Sequence, residues 1–308
     1  MKRFRNILFV AQNIPDGNNS LKIASSLAIH NRALLTVVSI VNDLSTYMNI
    51  LPAASKISTF QEQMDQEHIE RLERFVAPYR KGVKMITRPL KGTPFLEIIR
   101  QVIKKNHDLV VITPEGFGGL SETLFGSTTM HLMRKCPCPV WAIRPGQKER
   151  FSRVLAAVDF DPSNNEAEAL NKKIAGIASS LSRFHKCELH IVHAWHSRMR
   201  GMGIPGVAVH DIDAELRKAH TEWFDDFARR YIPSSVRERT HLIEGEASSE
   251  IPGLVKKIQA DLVVMGTVSR TGISGYLIGD TAEKILHRLD CSVFAIKPDK
   301  YVSPVKAG

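Results

Sequence analysis

The residues of this sequence that could hold a charged ligand lie in one glycine-bearing stretch and at one acidic position. Gly266 and Gly279 bracket the stretch, which follows the apolar run Leu262–Met265 and precedes a helical pattern. Backbone N–H groups at the start of a helix, beside a glycine-bearing loop, can hold a phosphate group. Asp159 follows a second apolar run and adds a carboxylate. Taken alone, the pattern fits a phosphate-binding loop and a set of tight turns equally well.

No other arrangement of polar residues forms a recognisable catalytic set. The chain contains no nucleophile elbow, no zinc-protease pair of histidines and no Walker loop. Asp159 and Asp161 could bind a metal ion on a nucleotide, but Asp161-Pro162 is also a common turn start, and we favour the turn. Cys136 and Cys138 lack the second cysteine pair of a zinc site. We predict no catalytic residues, no protein-bound metal and no enzyme activity.

Size and composition set the class of protein. The chain has 308 residues and a formal net charge of +10, which suits two domains of about 150 residues each. Its 4 cysteines do not form a secreted disulfide framework, the apolar run 7–11 is too short for a signal peptide, and no stretch approaches the roughly 18 apolar residues of a membrane span. The basic residues are scattered, with no run interleaved with aromatic residues, so we expect no nucleic-acid partner. We predict a cytoplasmic protein.

An internal repeat organises the chain. Displaced by about 150 residues, Asp108–Val111 matches Asp261–Val264, and Cys138–Pro145 matches Cys291–Pro298. No gap is needed between these two matches, which excludes chance similarity. A short polar stretch follows Pro145 and marks the join. The repeat predicts two domains, residues 1–147 and residues 150–308.

Each copy alternates apolar strands with amphipathic helices. The predicted strands are Ile7–Ala11, Leu34–Val41, Val83–Thr87, Leu109–Ile112 and Val140–Ile143 in the first copy, and Val154–Val158, Glu188–His193, Arg239–Ile243, Leu262–Met265 and Val293–Ile296 in the second. The predicted helices are Leu21–Ile29, Phe60–Tyr79, Pro94–Lys105 and Thr128–Lys135, and then Ala167–Ser182, Ala214–Tyr231, Glu250–Gln259 and Ala282–Arg288. Short β-branched strands without polar alternation indicate a parallel sheet covered on both faces.

This pattern predicts an α/β fold with two Rossmann-like domains in tandem. Right-handed crossovers give each domain a five-stranded parallel sheet, for which we predict the strand order 3-2-1-4-5. In that order a ligand binds at the carboxyl ends of strands 1 and 4, where the winding of the sheet reverses. We therefore expect the ligand sites just after Ala11 and Ile112 in the first copy and just after Val158 and Met265 in the second.

Two further features adjoin the expected site of the second copy. The segment Met199–Val209 is apolar and rich in glycine. It either packs against the other copy or a second chain, which we favour, or forms a lid over an amphiphilic ligand. His193 lies at the carboxyl end of a strand, where it either faces the pocket or has a structural role, and we favour the structural role.

The glycine-bearing loop, placed between Asp261–Gly266 and Cys291–Pro298, resembles that of the universal stress protein family. The resemblance covers nearly the whole chain twice, and the closing stretches His131–Pro145 and Asp299–Tyr301 are similar to the tandem, E-type branch. It implies two domains of the adenine nucleotide alpha-hydrolase-like fold and a stress-response protein that binds ligands. Nucleotide-binding members carry Gly-x2-Gly-x9-Gly-Ser/Thr at this loop and an acid at the end of strand 1.

The resemblance assigns a principal ligand site to the second copy and a degenerate site to the first. In the second copy Asp159 matches the acid, Gly266 and Gly279 match two glycines, Ser269 replaces the remaining glycine, and Asp280 replaces Ser/Thr. The principal site comprises Asp159, Val192, Gly266, Ser269, Gly272, Gly279, Asp280 and Thr281. In the first copy Gln12 replaces the acid and Thr113-Pro114 the first glycine. The weaker site comprises Gln12, Gly116, Gly126 and Ser127.

The departures from the family pattern affect phosphate binding unequally. A carboxylate at Asp280 would repel a phosphate by about 3 kcal/mol per unit charge at ~5 Å and an effective dielectric of ~20. Asp280 could instead serve as a helix N-cap. Pro114 removes one backbone N–H donor from the first copy. These departures argue against tight ATP binding through the usual triphosphate geometry. We therefore assign no definite cofactor; the candidates are ATP or another nucleotide-containing ligand, with Mg²⁺ if it is a triphosphate.

We predict a cytosolic binding protein whose partner is a nucleotide-like or amphiphilic small molecule. The alternatives are a nucleotide phosphohydrolase with ATPase activity and a protein-binding scaffold without a small ligand. The resemblance also implies that the fifth strands, Val140–Ile143 and Val293–Ile296, pair the two domains as an internal pseudo-dimer, and a homodimer is possible.

Overall fold

The computed structural model describes residues 4–11, 19–41, 54–114, 125–160, 165–197, 209–267 and 279–307. The chain divides into two units. Among the described residues, the first unit contains those within 4–149 and 301–307, and the second contains those within 150–267 and 279–300. The end of the chain, which follows the second repeat, thus belongs to the unit built from the first.

The described part of the first unit alternates strands and helices. Strands β1 to β5 span Asn6–Val10, Leu34–Val41, Lys84–Lys91, Leu109–Ile112 and Val140–Ala142. Helices α1 to α4 span Asn19–Asn31, Ala54–Val76, Pro94–Lys105 and Ser127–Lys135. A 3-10 turn, Ala77–Tyr79, follows α2 because Pro78 interrupts the helical hydrogen bonding there.

The described part of the second unit repeats this alternation. Strands β6 to β10 span Arg153–Ala157, Glu188–Trp195, Thr240–Glu244, Leu262–Gly266 and Ser292–Ile296. Helices α5 to α8 span Asn165–His185, Val209–Tyr231, Ala247–Ile258 and Asp280–Arg288. A 3-10 turn, Ser234–Arg239, precedes β8. Every predicted strand and helix is present, with ends displaced by a few residues.

The strands of each unit are parallel and follow the predicted order. In the first unit the order is β3-β2-β1-β4-β5, and in the second it is β8-β7-β6-β9-β10. The order 3-2-1-4-5 is therefore confirmed in both copies. The winding reverses between β1 and β4 and between β6 and β9, so the carboxyl ends of these pairs are the places where a ligand site is expected.

The central strands are buried on both faces, as their continuous apolar sequences require. All residues of β4 and of β10 are buried, and the core includes Phe9, Trp141 and Phe294. Helices cover the faces of such a sheet, because a parallel sheet exposes no face to water. Thr93 and Pro94 begin α3, and Asn106, at φ 52°, ends it in the left-handed region.

The repeated aspartate that marks the two copies has a structural role. Asp261, at the start of β9, accepts hydrogen bonds from the backbone N–H groups of Ser152 at 2.7 Å and Arg153 at 3.0 Å. Asp108 accepts the equivalent pair at the start of β1. The carboxylate thereby fixes the register between the two central strands of each sheet at their amino ends, opposite the expected ligand site.

The repeated glycine that ends strand 3 of each copy is required by sterics. Gly245 has φ +152°, and a Cβ atom there would lie 2.6 Å from Cγ of Glu250. Gly92 has φ +120°, and its Cβ would lie 3.2 Å from Cγ of Glu97. The positive φ and the close approach both favour glycine at this turn into the next helix.

No helix in the described ranges is both long enough and apolar enough to cross a membrane.

Candidate functional site

Asp159 follows β6, the central strand of the second unit, and its backbone is held on both sides by one side chain. Asn171 of α5 accepts a hydrogen bond from the Asp159 N–H at 3.0 Å and donates its amide to the Asp159 carbonyl at 2.7 Å. Asn171 is buried, at 3% exposure, whereas the Asp159 side chain is 57% exposed. The result is a fixed backbone at the switch point that presents a carboxylate to solvent.

Gly266 ends β9 beside this position and allows a close contact between the sheet and α5. A Cβ atom on Gly266 would lie 2.9 Å from Cδ2 of Leu170, so this glycine has a packing role whether or not a ligand approaches it. Leu170 neighbours Asn171 in the sequence. The same turn of α5 therefore packs on the end of β9 and fixes the backbone at the end of β6.

Thr267 is the residue after β9, and it contacts Lys297 at the same edge of the sheet. Its side chain accepts a hydrogen bond from Nζ of Lys297 at 3.3 Å, and its carbonyl accepts one from the Gly279 N–H at 3.2 Å. Lys297 follows β10 and is buried, at 3% exposure. The Lys297 side chain therefore lies beside the start of the glycine-bearing loop.

Helix α8 begins at the end of that loop. Gly279 is its N-cap, and Asp280, which is exposed, is its first residue. The interpretation of Asp280 as the N-cap is therefore wrong: Glu283 N–H donates to the Gly279 carbonyl at 2.9 Å, which places the cap one residue earlier. A carboxylate in the first turn still stabilises the helix dipole. Thr281 follows and is also exposed.

The first unit has the same helix start with a neutral residue. Gly126 is the N-cap of α4, its carbonyl accepts the Met130 N–H at 3.1 Å, and Ser127 is the first residue of the helix. Gly126 and Ser127 thus occupy the positions of Gly279 and Asp280. Both helices thus begin after a glycine N-cap, and the copies differ in the first helical residue, which is neutral in the first copy and negatively charged in the second.

His193, at the carboxyl end of β7, links the sheet to α6. Its Nδ1 lies 3.3 Å from the Val158 carbonyl, and its Nε2 lies 2.9 Å from Nδ1 of His220. Phe160 contacts His193 edge-on, at 4.8 Å between ring centroids, and Trp195 stacks on His220 at 4.9 Å. The structural interpretation of His193 agrees with these contacts, and an aromatic cluster lies beside Asp159.

Burial keeps this histidine pair neutral. The pKa of His193 is lowered to about 4, chiefly by burial and also by the neighbouring His220, while the bond to the Val158 carbonyl opposes the shift. Burial also lowers the pKa of His220. In the neutral pair one ring nitrogen donates and the other accepts, so the bond between the two rings persists at neutral pH.

Acidification should destabilise the protein through its buried histidines. Burial lowers the pKa of His107, His185 and His193 from 6.5 to about 4. Between these two values the unfolded chain binds protons that the folded chain does not, so stability falls as pH drops from 6.5 towards 4. Each histidine contributes at most about 3 kcal/mol to the loss. Urea midpoints measured from pH 7.5 to pH 5 should decrease.

A variant separates this effect from the titration of carboxylates. His185→Phe keeps an aromatic ring against Phe151 and Phe184 and should flatten the decrease between pH 7 and pH 5. An identical slope in wild type and His185→Phe would contradict the assignment.

Val192 of the predicted site pairs with Ala157, the last residue of β6, and its side chain is buried. Its carbonyl accepts the Val158 N–H at 3.0 Å. The structure brings Asp159, Gly266, Gly279, Asp280 and Thr281 to the carboxyl edge of the second sheet through β6, β9 and the start of α8. Ser269, Gly272, Gln12, Gly116 and the segment 199–208 lie outside the described residues.

Sequence reasoning missed Asn171, Thr267, Lys297 and His220. Asn171 carried one signal, because it is a polar residue on the apolar face of a predicted helix. The others acquire their roles only through tertiary contacts. Among the described residues, no group of three or more His, Cys, Asp or Glu side chains could hold a metal ion.

Comparison with known proteins agrees with this duplicated geometry. The model of the universal stress protein family matches residues 3–144 and again residues 150–297. The chain is 32% identical over 217 residues to universal stress protein E of Escherichia coli K12, covering 69% of this chain and 68% of that one. It is 26% identical to the universal stress protein E homolog of Haemophilus influenzae, covering 97% and 99%.

A solved structure extends the similarity to the fold. The crystal structure of a functionally unknown protein from Pseudomonas aeruginosa PAO1 matches with a TM-score of 0.73 and 25% identity, covering 96% of this chain and 93% of that one. The family match spans both repeats, and the two sheets have the same strand order. The chain therefore belongs to the universal stress protein family and carries two tandem copies of its fold.

Proposed function

We propose that this chain is a cytosolic stress-response protein that binds a nucleotide-like or amphiphilic small molecule, mainly in its second copy. The site comprises Asp159, the Val192 backbone, the loop that begins at Gly266 and the start of α8. The predicted loop residues Ser269 and Gly272 belong to the same proposal, and the weaker site at Gln12, Gly116, Gly126 and Ser127 belongs to the first copy. A triphosphate ligand would bring Mg²⁺ with it.

The environment of Asp159 carries this proposal. A buried asparagine bonds both the N–H and the carbonyl of Asp159 and so fixes its backbone. The Asp159 side chain is 57% exposed, and its carboxylate, 4.0 Å from Nδ1 of buried His193, is accessible to a ligand. A rigid scaffold that presents a polar group at a topological switch point is typical of a ligand site. The Lys297 side chain lies at the same edge.

Calorimetric titration with Mg-ATP, ADP and AMP tests the position of the site. Asp159→Ala should weaken the binding of each nucleotide at least tenfold, because a hydrogen bond to a charged group is lost. The urea midpoint should not change, since the carboxylate is exposed. Gln12→Ala, the equivalent change in the first copy, is the matched control and should leave the main binding event intact.

The outcomes separate the alternatives. Equal affinities for wild type and Asp159→Ala would contradict the site. The absence of any thermal shift with nucleotides would favour a protein-binding scaffold. Phosphate release from ATP by the pure protein, lost in Asp159→Ala, would establish the phosphohydrolase alternative, whereas we propose no catalytic activity.

The cytoplasmic location, the internal pseudo-dimer through the fifth strands and a homodimer stay predictions. Fractionation of the host cell tests the first. Sedimentation velocity over a range of concentrations tests the homodimer, and separately expressed residues 1–147 and 150–308 test whether the two copies associate.

A further inference from the structure

Two cysteine sulfurs of the first unit lie in contact. Sγ of Cys136 and Sγ of Cys138 are 3.6 Å apart, and both residues are buried, at 0% and 9% exposure. They are not joined by a disulfide. A disulfide needs about 2.05 Å between the sulfurs, so a movement of about 1.5 Å, shared between two side chains, would bring them to bonding distance.

The backbone at this pair is a turn that ends a helix and begins a strand. Cys136 is the C-cap of α4 in an extended conformation, with φ −70° and ψ 133°, and its N–H donates to the Leu132 carbonyl at 2.9 Å. Pro137 separates the two cysteines, and β5 begins at Val140. Two residues apart, the cysteines cannot separate far, because an extended chain advances at most ~3.6 Å per residue.

The end of the chain closes over the helix terminus that carries this turn. Tyr301 donates its hydroxyl to the Arg134 carbonyl at 2.6 Å, and Ser303 donates its hydroxyl to the Lys135 carbonyl at 2.7 Å. The same Ser303 oxygen accepts the Val305 N–H at 3.1 Å. Carbonyls in the last turn of a helix have no partner within the helix, so these bonds attach the C-terminal segment 301–305 to the residues immediately before Cys136.

The second copy provides an internal comparison. Cys291 occupies the position of Cys138 before strand 5, whereas Leu289 occupies the position of Cys136. Cys291 and Leu289 are both buried. A small buried residue before strand 5 therefore suffices for packing in both copies, and the additional thiol of the first copy is not explained by the fold.

We propose that Cys136 and Cys138 form a reversible intramolecular disulfide when the protein meets a peroxide, and that the C-terminal segment 301–305 restrains this reaction. The less buried Cys138, as a thiolate, attacks one peroxide oxygen, which leaves a sulfenic acid and releases the other oxygen as water. The Cys136 thiol then attacks the sulfenic sulfur and releases a second water. Two thiols and one hydrogen peroxide give one disulfide and two waters.

The restraint follows from burial. Buried thiols react slowly, because the oxidant must reach them and the thiolate must form, so the turn has to open first. Opening requires the last turn of α4 to move away from Tyr301 and Ser303. A short ring around Pro137 gives a strained disulfide, which cellular dithiols reduce readily, and the bond is therefore reversible.

Intact mass and peptide mapping of the peroxide-treated protein test the disulfide directly. The wild type should lose about 2 Da, reversed by dithiothreitol, with the loss confined to the peptide that contains Cys136 and Cys138. Cys187 and Cys291 are internal controls and should remain thiols; burial raises the pKa of Cys187 to about 11. Failure to lose this mass at any peroxide excess that leaves the fold intact, judged by circular dichroism, would overturn the proposal.

Variants test the order of the steps and the restraint. Cys136→Ser should accumulate a sulfenic acid at Cys138, trapped by dimedone, whereas trapping only at Cys136 in Cys138→Ser would overturn the order. Tyr301→Phe with Ser303→Ala removes two hydrogen bonds and should speed disulfide formation about tenfold. An unchanged rate in this double variant would overturn the restraint. The mass measurement on the wild-type protein tests disulfide formation even if one of these variants fails to fold.

Discussion

Replacing Asp280 with serine is expected to tighten the binding of ATP to the second copy by about a hundredfold. A carboxylate at the first residue of α8 would repel a phosphate ~5 Å away by about 3 kcal/mol per unit charge at an effective dielectric of ~20. Every 1.4 kcal/mol corresponds to about a tenfold change in affinity. Serine suits this backbone, because Ser127 occupies the same place after the N-cap Gly126 in the first copy.

The charge of the ligand is the control for this prediction. Calorimetric titrations with ATP, ADP, AMP and adenosine should show a gain that decreases along the series and vanishes for adenosine. Asp280→Asn, which removes the charge and keeps the shape, should behave like Asp280→Ser. A gain for adenosine as large as the gain for ATP would show that the carboxylate acts through packing, and no gain for ATP would place the phosphates elsewhere.

Asp261→Ala should lower the free energy of unfolding of the second unit by about 3 kcal/mol, because each of its two charge-assisted bonds contributes about 1.5 kcal/mol or more. The substitution removes both carboxylate oxygens of Asp261, which accept hydrogen bonds from the backbone N–H groups of Ser152 at 2.7 Å and Arg153 at 3.0 Å. These bonds hold the central strand β6 against β9. The ligand site at the far end of the same strands depends on that register.

Urea unfolding followed by intrinsic fluorescence measures this loss. Asp108→Ala should produce the same loss in the first unit, since Asp108 makes the equivalent pair of bonds. Exposed Asp290 lies in the same unit as Asp261 and is the control, with Asp290→Ala within about 0.5 kcal/mol of wild type. A midpoint for Asp261→Ala that equals the wild-type midpoint would contradict the structural role of the repeated aspartate.

The fold was predictable because two copies of one pattern constrain each other. Strands such as Leu109–Ile112 are short apolar runs, so the sequence leaves little choice about where each strand begins and ends. The order of the strands in the sheet follows from right-handed crossovers. The ends of other elements depend on tertiary pairing. Strand β7 continues to Trp195 because Trp195 pairs with Glu244 of β8, and that partnership has no signature in the sequence around His193.

The candidate site was predictable only in outline. Asp159, Gly266 and Gly279 follow from their places after strands and before a helix. The two bonds from Asn171 to Asp159 and the contact of Leu170 with Gly266 join residues that are distant in sequence. Whether Asp280 is the N-cap or the first residue of α8 depends on a shift of one residue in the helix start. Helix ends vary by one or two residues, and the sequence alone does not fix them.

Native mass spectrometry of the protein purified from its own host tests most directly whether the second copy holds a ligand. The wild type should retain a small molecule in a ratio of one per chain, and Asp159→Ala, purified in the same way, should lose it while remaining folded. Retention of the same molecule by both proteins, or a bare chain in both, would contradict a ligand site built around the carboxyl end of β6.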